Sequence, residues 1–405
     1  MSASMQQAVD ALAGAPLTEE LVQQHIAPLF SRVLASDRVY LANHSLGRPL
    51  DRMADDVREA IALWETKLGD AWDPWLEEQE AFRARMATLV GAPRPDCIVP
   101  KTSAGQGLRT VLNAMPGKPR ILSTRGEFDS IDLILKQYAA LNRIEMRWVE
   151  PDADGRFTVE RVTEQLRDDT DLVVISQVMF MTGQIVHNLA ALADACHAVG
   201  ARLLVDVYHA TGAIPVDVAG MRADFAIGGS YKYLRGGPGA CYLYLSPDML
   251  AGDLRPLDTG WFARENTFGY ERPEIPVLRP GGDAFLEATP PILTWYQARS
   301  GQQFTLALGV DRLRRYSRDR LIRLKTYLQE AGISSIGADD DHAAFLALQL
   351  PDASTIAAKL AEKGIVTDAR GKWLRLCPDC LTRDEELRAT ALQLKQLMVP
   401  HNLSP

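Results

Sequence analysis

Cysteine is scarce and scattered in this chain of 405 residues: Cys97, Cys196, Cys241, Cys377 and Cys380. An odd number of thiols reads as reduced cysteine and not as a disulfide framework, and the N-terminus, with Asp10, Glu19 and Glu20, lacks the basic-then-apolar pattern of a secretion leader. Cys377-Pro378-Asp379-Cys380 has the spacing of a redox pair or half a zinc site. No second Cys/His pair has suitable spacing, and the motif follows a short strand-like segment near the C-terminus, so it reads as coincidence and no metal is expected. Long apolar runs are missing too: none approaches the ~20 residues that cross a bilayer, which excludes a membrane partner. Basic residues are in deficit, 44 Lys and Arg against 52 Asp and Glu, and a net charge of −8 argues against a nucleic-acid partner. Internal repeats and low-complexity tracts are absent. What remains, 47% apolar and 24% charged residues, is the composition of a soluble globular enzyme, with the cytoplasm as its expected compartment.

The length suits one large α/β domain with a smaller one attached. The first 35 or so residues read as helical, with Leu21, Ile26 and Leu29 on one face. Val39 to Ala42 is a short extended segment leading into a turn at Asn43 to Pro49. An amphipathic helix is expected from Met53 to Leu68, then an aromatic-rich loop holding Trp72 and Trp75. From about residue 97, apolar runs alternate with helical stretches such as Leu189 to Val199. The runs end at Pro100, Ser123, Ser176, Asp206 and Ile227. That βαβ rhythm implies a mostly parallel sheet with helices on both faces. The chain then repeats the mixture on a smaller scale. Helices are expected over Val310–Ala331, Ser354–Lys363 and Arg383–Met398, and strands over Ala343–Leu348 and near Trp373–Leu376. The reading is an N-terminal segment (1–45) packed with the small domain, a large domain (46–300) and a small α+β domain (301–405).

The chemistry centres on Lys232, in Ser230-Tyr231-Lys232-Tyr233, just after the apolar run that ends near Gly228. Twenty-six residues earlier Asp206 ends another apolar run. An aspartate at the end of one strand and a lysine at the end of the next is the pairing that pyridoxal phosphate (PLP) chemistry requires. The lysine holds the cofactor aldehyde as a Schiff base, and the aspartate keeps the pyridine nitrogen protonated so that the ring accepts electrons. A surface lysine and a helix-capping aspartate would have the same spacing.

Other polar residues fall at strand ends, where open α/β sheets bind ligands. Thr102 and Ser103 follow a strand and open a helix, a natural phosphate cradle or an ordinary N-cap. Phe128, after another strand, is placed to stack on a pyridine ring or to join the core. Ser176 closes the next strand within reach of the cofactor or of Asp206. His209 shares a short loop with Asp206.

Taken together these residues resemble kynureninase, in the class-V aminotransferase branch of fold-type-I PLP enzymes, from Asn43 to Arg375. Asn43-His44-Ser45-Leu46-Gly47 is similar to the family's Gly-Asn-Ser-Leu-Gly. Asp206-Val207-Tyr208-His209-Ala210-Thr211-Gly212 resembles its Asp-x-Ala-His-x-x-Gly. Ser230 to Leu234 with Gly236-Gly237-Pro238-Gly239 looks like its Schiff-base segment, and Thr259-Gly260-Trp261-Phe262 matches its Gly-Trp-Phe. Phe180-Met181-Thr182-Gly183-Gln184 and Thr289-Pro290-Pro291-Ile292 add to the likeness.

The resemblance implies a fold-type-I α/β architecture, PLP as cofactor, a small amino-acid substrate and a homodimer with active sites at the subunit interface. It makes Lys232 the Schiff-base lysine, Asp206 the pyridinium partner and Phe128 the stacking ring. Thr102, Ser103, Tyr231 and Trp261 would hold the phosphate, with Thr289 reaching it from the other subunit. Ser130, Ser176 and His209 would line the cofactor, and Arg375 and Ser45 would bind the substrate, Arg375 through its α-carboxylate. The implied reaction is hydrolysis of the Cβ–Cγ bond of L-kynurenine or a 3-hydroxy relative, with Tyr231 as proton donor. Transamination is the alternative, ahead of racemisation or cysteine desulfuration. A desulfurase needs a nucleophilic cysteine ahead of the small-domain arginine, whereas Cys377 and Cys380 follow Arg375. The family's Phe-Pro-x-Asp is here Phe128-Asp129-Ser130-Ile131, which leaves Asp129 or Asp132 to stand in for its aspartate. An asparagine found before Pro-Pro-Ile in the family's animal members is Thr289.

Overall fold

A strand buried on both faces has to be apolar at every position, and Leu172-Val173-Val174-Ile175 meets that demand. In a computed structural model, which describes residues 1–252 and 254–398, this run lies deep in a seven-stranded sheet. Ahead of the sheet, β1 (Val39–Tyr40) belongs to the N-terminal segment. The sheet itself uses β2 (Ile98–Lys101), β3 (Arg120–Thr124), β4 (Glu145–Val149), β5 (Leu172–Ser176), β6 (Arg202–Asp206), β7 (Phe225–Gly229) and β8 (Cys241–Leu245). Their spatial order is β2-β8-β7-β6-β5-β3-β4. Only β8 runs against its neighbours, and every other pair in the sheet is parallel.

Side chains alternate between two cores. Leu172 and Val174 join Ile121, Leu204, Phe225 and Ile227 on one face. Val173 and Ile175 join Leu122, Leu203, Val205 and Ala226 on the other. Helices Ala104–Ala114 and Asp129–Ala140 pack on the first core, and Trp72–Val90 and Leu189–Ala198 on the second. The mixed, mostly parallel sheet flanked by helices is the α/β fold the sequence implied.

The C-terminal unit has its own core of Leu346, Leu348, Leu374 and Leu376 under helices Val310–Glu330, Ala353–Glu362 and Asp384–Met398. Its strands are β9 (Leu346–Gln349), β10 (Ile365–Val366), β11 (Asp368–Arg370) and β12 (Trp373–Leu376). β11, β12 and β9 form an antiparallel sheet, and β10 pairs in parallel with β1. The segment after β1 then crosses to the large sheet, where the Gly47 N–H donates to the Tyr231 carbonyl at 2.8 Å.

Three local expectations are corrected, and two strands are added. The first 35 residues are not one helix: Ala3–Leu12 ends at a left-handed Ala13, and residues 19–34 are short turns of differing pitch. Gly14, Pro16 and Pro28 interrupt the ladder, and the buried stripe is Val22, Ile26 and Phe30. Trp72 and Trp75 are not in a loop but open the helix Trp72–Val90. Pro74 sits in its first turn, where a missing N–H costs nothing, and Trp75 Nε1 donates to the Ala60 carbonyl of the preceding helix at 3.2 Å. The strand expected at Ala343–Leu348 starts at Leu346, because the Ala343 N–H is taken by the Gly183 carbonyl. Finally, β4 and β8 were not read from the sequence. β4 is a sheet edge carrying Glu145 and Arg147, and β8 follows a glycine turn and is held by pairing on both sides.

Candidate active site

β5 and β6 place Ser176 opposite Asp206 in register, and Asp206 in turn pairs with Ile227 of β7. Lys232 follows β7 in the same direction, so three functional side chains reach one edge of the sheet. They line a cavity of about 430 Å³ together with Ser103, Phe128, Ser130, His209 and Tyr231. Eight residues singled out in the sequence thus converge in one place.

The Lys232 amine is buried, with Nζ 2.6 Å from His209 Nε2. Two protonated nitrogens cannot share that contact, so one of the two groups accepts and at least one of them is uncharged there. Burial pushes His209 well below its ordinary pKa, and the charge of Lys232 pushes it further. Burial likewise depresses the Lys232 amine, opposed by the Asp206 carboxylate and helped by Arg375. Asp206 is raised by burial, while the Tyr208 N–H, 2.8 Å from its Oδ1, holds it down.

The first turn of helix Ala104–Ala114 faces the cavity through Ser103, Ala104 and Gly105. Ser103 Oγ accepts the Gln106 N–H at 3.0 Å, so it is the N-cap, and the helix end it shapes favours an anion. Thr102 lies apart: Gln106 Oε1 accepts both its N–H and its hydroxyl, and it shares a second cleft with Thr289. Thr289 is exposed in the single chain. Trp261 also stands off the cavity, its indole N–H donated to the Thr267 carbonyl.

Arg375 and Ser45 meet through a residue the sequence reading missed. Asp368 accepts from Arg375 Nη2 at 2.8 Å and from Ser45 Oγ at 2.6 Å. Arg375 Nη1 donates to the carbonyl of Phe180, which lines the cavity, and its buried Nε has no partner among the described residues. Nothing local marked Asp368; it meets Arg375 only because β11 and β12 pair across the turn at Gly371. Neither Asp129 nor Asp132 lines the cavity, and Asp132 pairs with Lys136 at 2.5 Å. The buried carboxyl of that turn is Glu127.

Two close approaches hold the site together. At Gly47 a Cβ would fall 1.9 Å from the Lys232 carbonyl oxygen, so only glycine lets the N-terminal loop lie on the lysine. At Gly229 a Cβ would meet the Tyr208 hydroxyl at 2.1 Å. Tyr208 stands where the family pattern has alanine, and its hydroxyl lies 3.0 Å from Cys241 Sγ.

These groups fit PLP: a buried amine of depressed pKa, a carboxyl on the adjacent strand, an aromatic wall and a helix N-terminus. The buried His209 Nδ1 is without a partner among the described residues.

Comparison with known proteins agrees. The family model described as aminotransferase class-V matches residues 58–374. A protein of Bacillus subtilis named uncharacterized aminotransferase YcbU is 26% identical over 347 residues, 85% of this chain and 89% of that one. A kynureninase of Pseudomonas fluorescens is 27% identical over 368 residues, 86% of each chain. Among solved structures, a C-DES mutant with glycine covalently linked to its PLP cofactor superposes with a TM-score of 0.80 at 19% identity, over 91% of this chain and 98% of that one. The chain belongs to the class-V aminotransferase family and is a PLP-dependent enzyme.

Proposed function

We propose that the protein hydrolyses the Cβ–Cγ bond of L-kynurenine or 3-hydroxykynurenine, converting substrate and water to an anthranilate and L-alanine. The observation that carries this reading is the motif set from Asn43 to Arg375, joined to a cavity lined by Lys232 and Asp206, with Arg375 held beside it through the carbonyl of Phe180, another lining residue. Relatives named kynureninase, at 26–29% identity, support it.

PLP, when bound, supplies an electrophilic aldehyde and a protonated ring that stores the electron pair released at the substrate Cα. Lys232 would be the amine that holds the aldehyde, and as the base beside the substrate it would take up the Cα proton. A low pKa keeps it neutral for that task. Asp206 would accept the pyridine N–H, and Phe128 would form a wall of the ring site. Ser130, Ser176 and His209 would border the ring. Ser103 and Tyr231, which line the cavity, would hold the phosphate, whereas Thr102 and Trp261, expected there too, stand off the cavity in the single chain. Arg375 grips the α-carboxylate with its planar fork, and Ser45, tied to the same Asp368, sets the fork's position. Tyr231, its hydroxyl pushed up to about 12 by burial, remains protonated and donates to the substrate Cβ.

We place a second copy of the chain over the exposed Thr102, Ser103 and Thr289, so that Thr289 reaches the partner's phosphate site. Exposed apolar side chains at Leu257, Phe268, Tyr270 and Ile275 favour such a homodimer. The cytoplasm is the compartment that five free cysteines suit.

The runner-up is transamination, the activity in the name of the Bacillus subtilis relative. Desulfuration is disfavoured because Cys377 and Cys380 are buried and burial pushes both thiols up. The test is to add L-kynurenine to the yellow, PLP-loaded enzyme and assay products. Anthranilate with alanine supports the proposal. Pyridoxamine phosphate with no anthranilate, formed from an amino acid and consumed by a keto acid, replaces it with transamination.

A further inference from the structure

Glu127 is 3% exposed and does not line the cavity, yet it is bonded to a residue that does. Its Oε2 accepts from Ser176 Oγ at 2.6 Å and its Oε1 from Thr124 Oγ1 at 2.6 Å. The Thr124 hydroxyl oxygen also accepts the Gly126 N–H at 3.1 Å, closing the turn that delivers Phe128 to the cavity. Ser176 sits beside Asp206 in the sheet register. One carboxyl therefore ties together three cavity elements: the Ser176 hydroxyl, the Phe128 turn and, across the strand pair, Asp206.

We propose that Glu127 is a positioning residue for the cofactor's pyridine end, holding the Ser176 hydroxyl beside Asp206 and fixing the turn that carries Phe128. It rests on the placement of PLP in the Lys232 cavity. An ionised Glu127 accepts both hydroxyls at once. A protonated one surrenders an acceptor site and frees Ser176 or Thr124 to turn. The carboxyl is poised between the two forms: burial pushes it up to about 7, the Asp206 charge adds to that, and the two hydroxyls oppose it. Asp206 is the titratable group facing it, and Ser176 and Thr124 are its polar neighbours from β5 and β3.

The experiment is PLP binding to apoprotein, followed by tryptophan fluorescence on both sides of neutrality, for wild type, Glu127→Gln, Ser176→Ala and the double variant. Each single change is expected to weaken binding about tenfold, the scale of a hydrogen bond to a charged group. The double variant should lose no more than either single one, because Glu127 acts through Ser176. Wild-type affinity should change with pH near 7 through Glu127 as well as through Lys232 and Asp206, and Glu127→Gln should remove the Glu127 share of that step while leaving theirs. Wild-type affinity and an unchanged pH profile in Glu127→Gln, or strictly multiplying losses in the double variant, would overturn the proposal. Should Glu127→Gln not fold, Ser176→Ala decides alone, since it must remove the same share. Borohydride reduction of the PLP-loaded wild type separates the two layers: a reduced cofactor mapped to a lysine other than Lys232 makes the cofactor placement fail, whereas wild-type behaviour of Glu127→Gln removes only the role of Glu127.

Discussion

Asp368 lies opposite Arg375 in the antiparallel pairing of β11 and β12, and their side chains join at 2.8 Å in a buried ion pair. The small domain thus presents its arginine already oriented, with a carboxylate behind it and an unpartnered Nε among the described residues. A preset fork loses little entropy on gripping a carboxylate. Arg375→Lys keeps the charge and loses the fork. We expect KM for L-kynurenine to rise about tenfold or more, with a smaller change in kcat, measured by steady-state assay. An unchanged KM would place the substrate carboxylate elsewhere.

The depressed pKa of Lys232 has a consequence for stability. The unfolded chain binds this proton more tightly than the folded one, so over the interval between the folded value and the ordinary ~10.4 the unfolded state carries more protons. Stability of the apoprotein from this group therefore rises with pH across that interval. Asp206 and Glu127 act with the opposite sign. Their folded values are raised, so their contribution falls as pH climbs from the ordinary carboxyl range towards about 7. Urea melts of the Lys232→Met apoprotein should show a flatter alkaline limb than wild type; identical limbs would mean that the amine titrates normally.

Gly229 and Tyr208 are coupled by space. Gly229→Ala drives a methyl against the Tyr208 hydroxyl and the Cys241 sulfur, and overpacking of a buried site costs about 1–3 kcal/mol. Pairing it with Tyr208→Ala should restore part of that loss. A double variant that melts where the two single losses sum would show that the clash is not the cause.

Asp379 is buried between Arg48, at 2.5 Å, and Arg235, at 3.0 Å. The two arginines hold its carboxyl down to about 2 against the effect of burial. Asp379→Ala strands two buried cations where the N-terminal loop, the turn after Lys232 and the C-terminal unit meet. The expected loss is about 3–5 kcal/mol in a denaturant melt, and near-wild-type stability would mean that the arginines escape to solvent.

Asp379 also explains the Cys377-Pro378-Asp379-Cys380 motif. Its central aspartate makes this ionic junction, while Cys377 donates to the Ala344 carbonyl and Cys380 accepts from Arg235. Spacing alone could not distinguish two packed thiols from a redox pair.

Residues in strong local patterns were legible. The apolar runs ending in Ser176 and Asp206, and the glycine-rich turn after Lys232, follow from strand burial and turn chemistry, which act over a few neighbours. Trp72 and Trp75 misled because aromatic crowding around a proline looks like a loop until the preceding helix supplies a hydrogen-bond acceptor. Asp368, Glu127 and Tyr208 carried no local signal that set them apart. Each acquires its place only when distant strands meet: β11 against β12, the turn after β3 against β5, the loop after β6 over Gly229. Sequence by itself pointed to the α/β class and to the lysine and aspartate pair, because periodicity and strand-end chemistry are short-range, and with the family resemblance it named half of the cavity wall. Tertiary structure alone decided which carboxyl faces Arg375, which one stands behind Ser176 and how far Lys232 is desolvated, because burial and charge pairing depend on residues far apart in the chain.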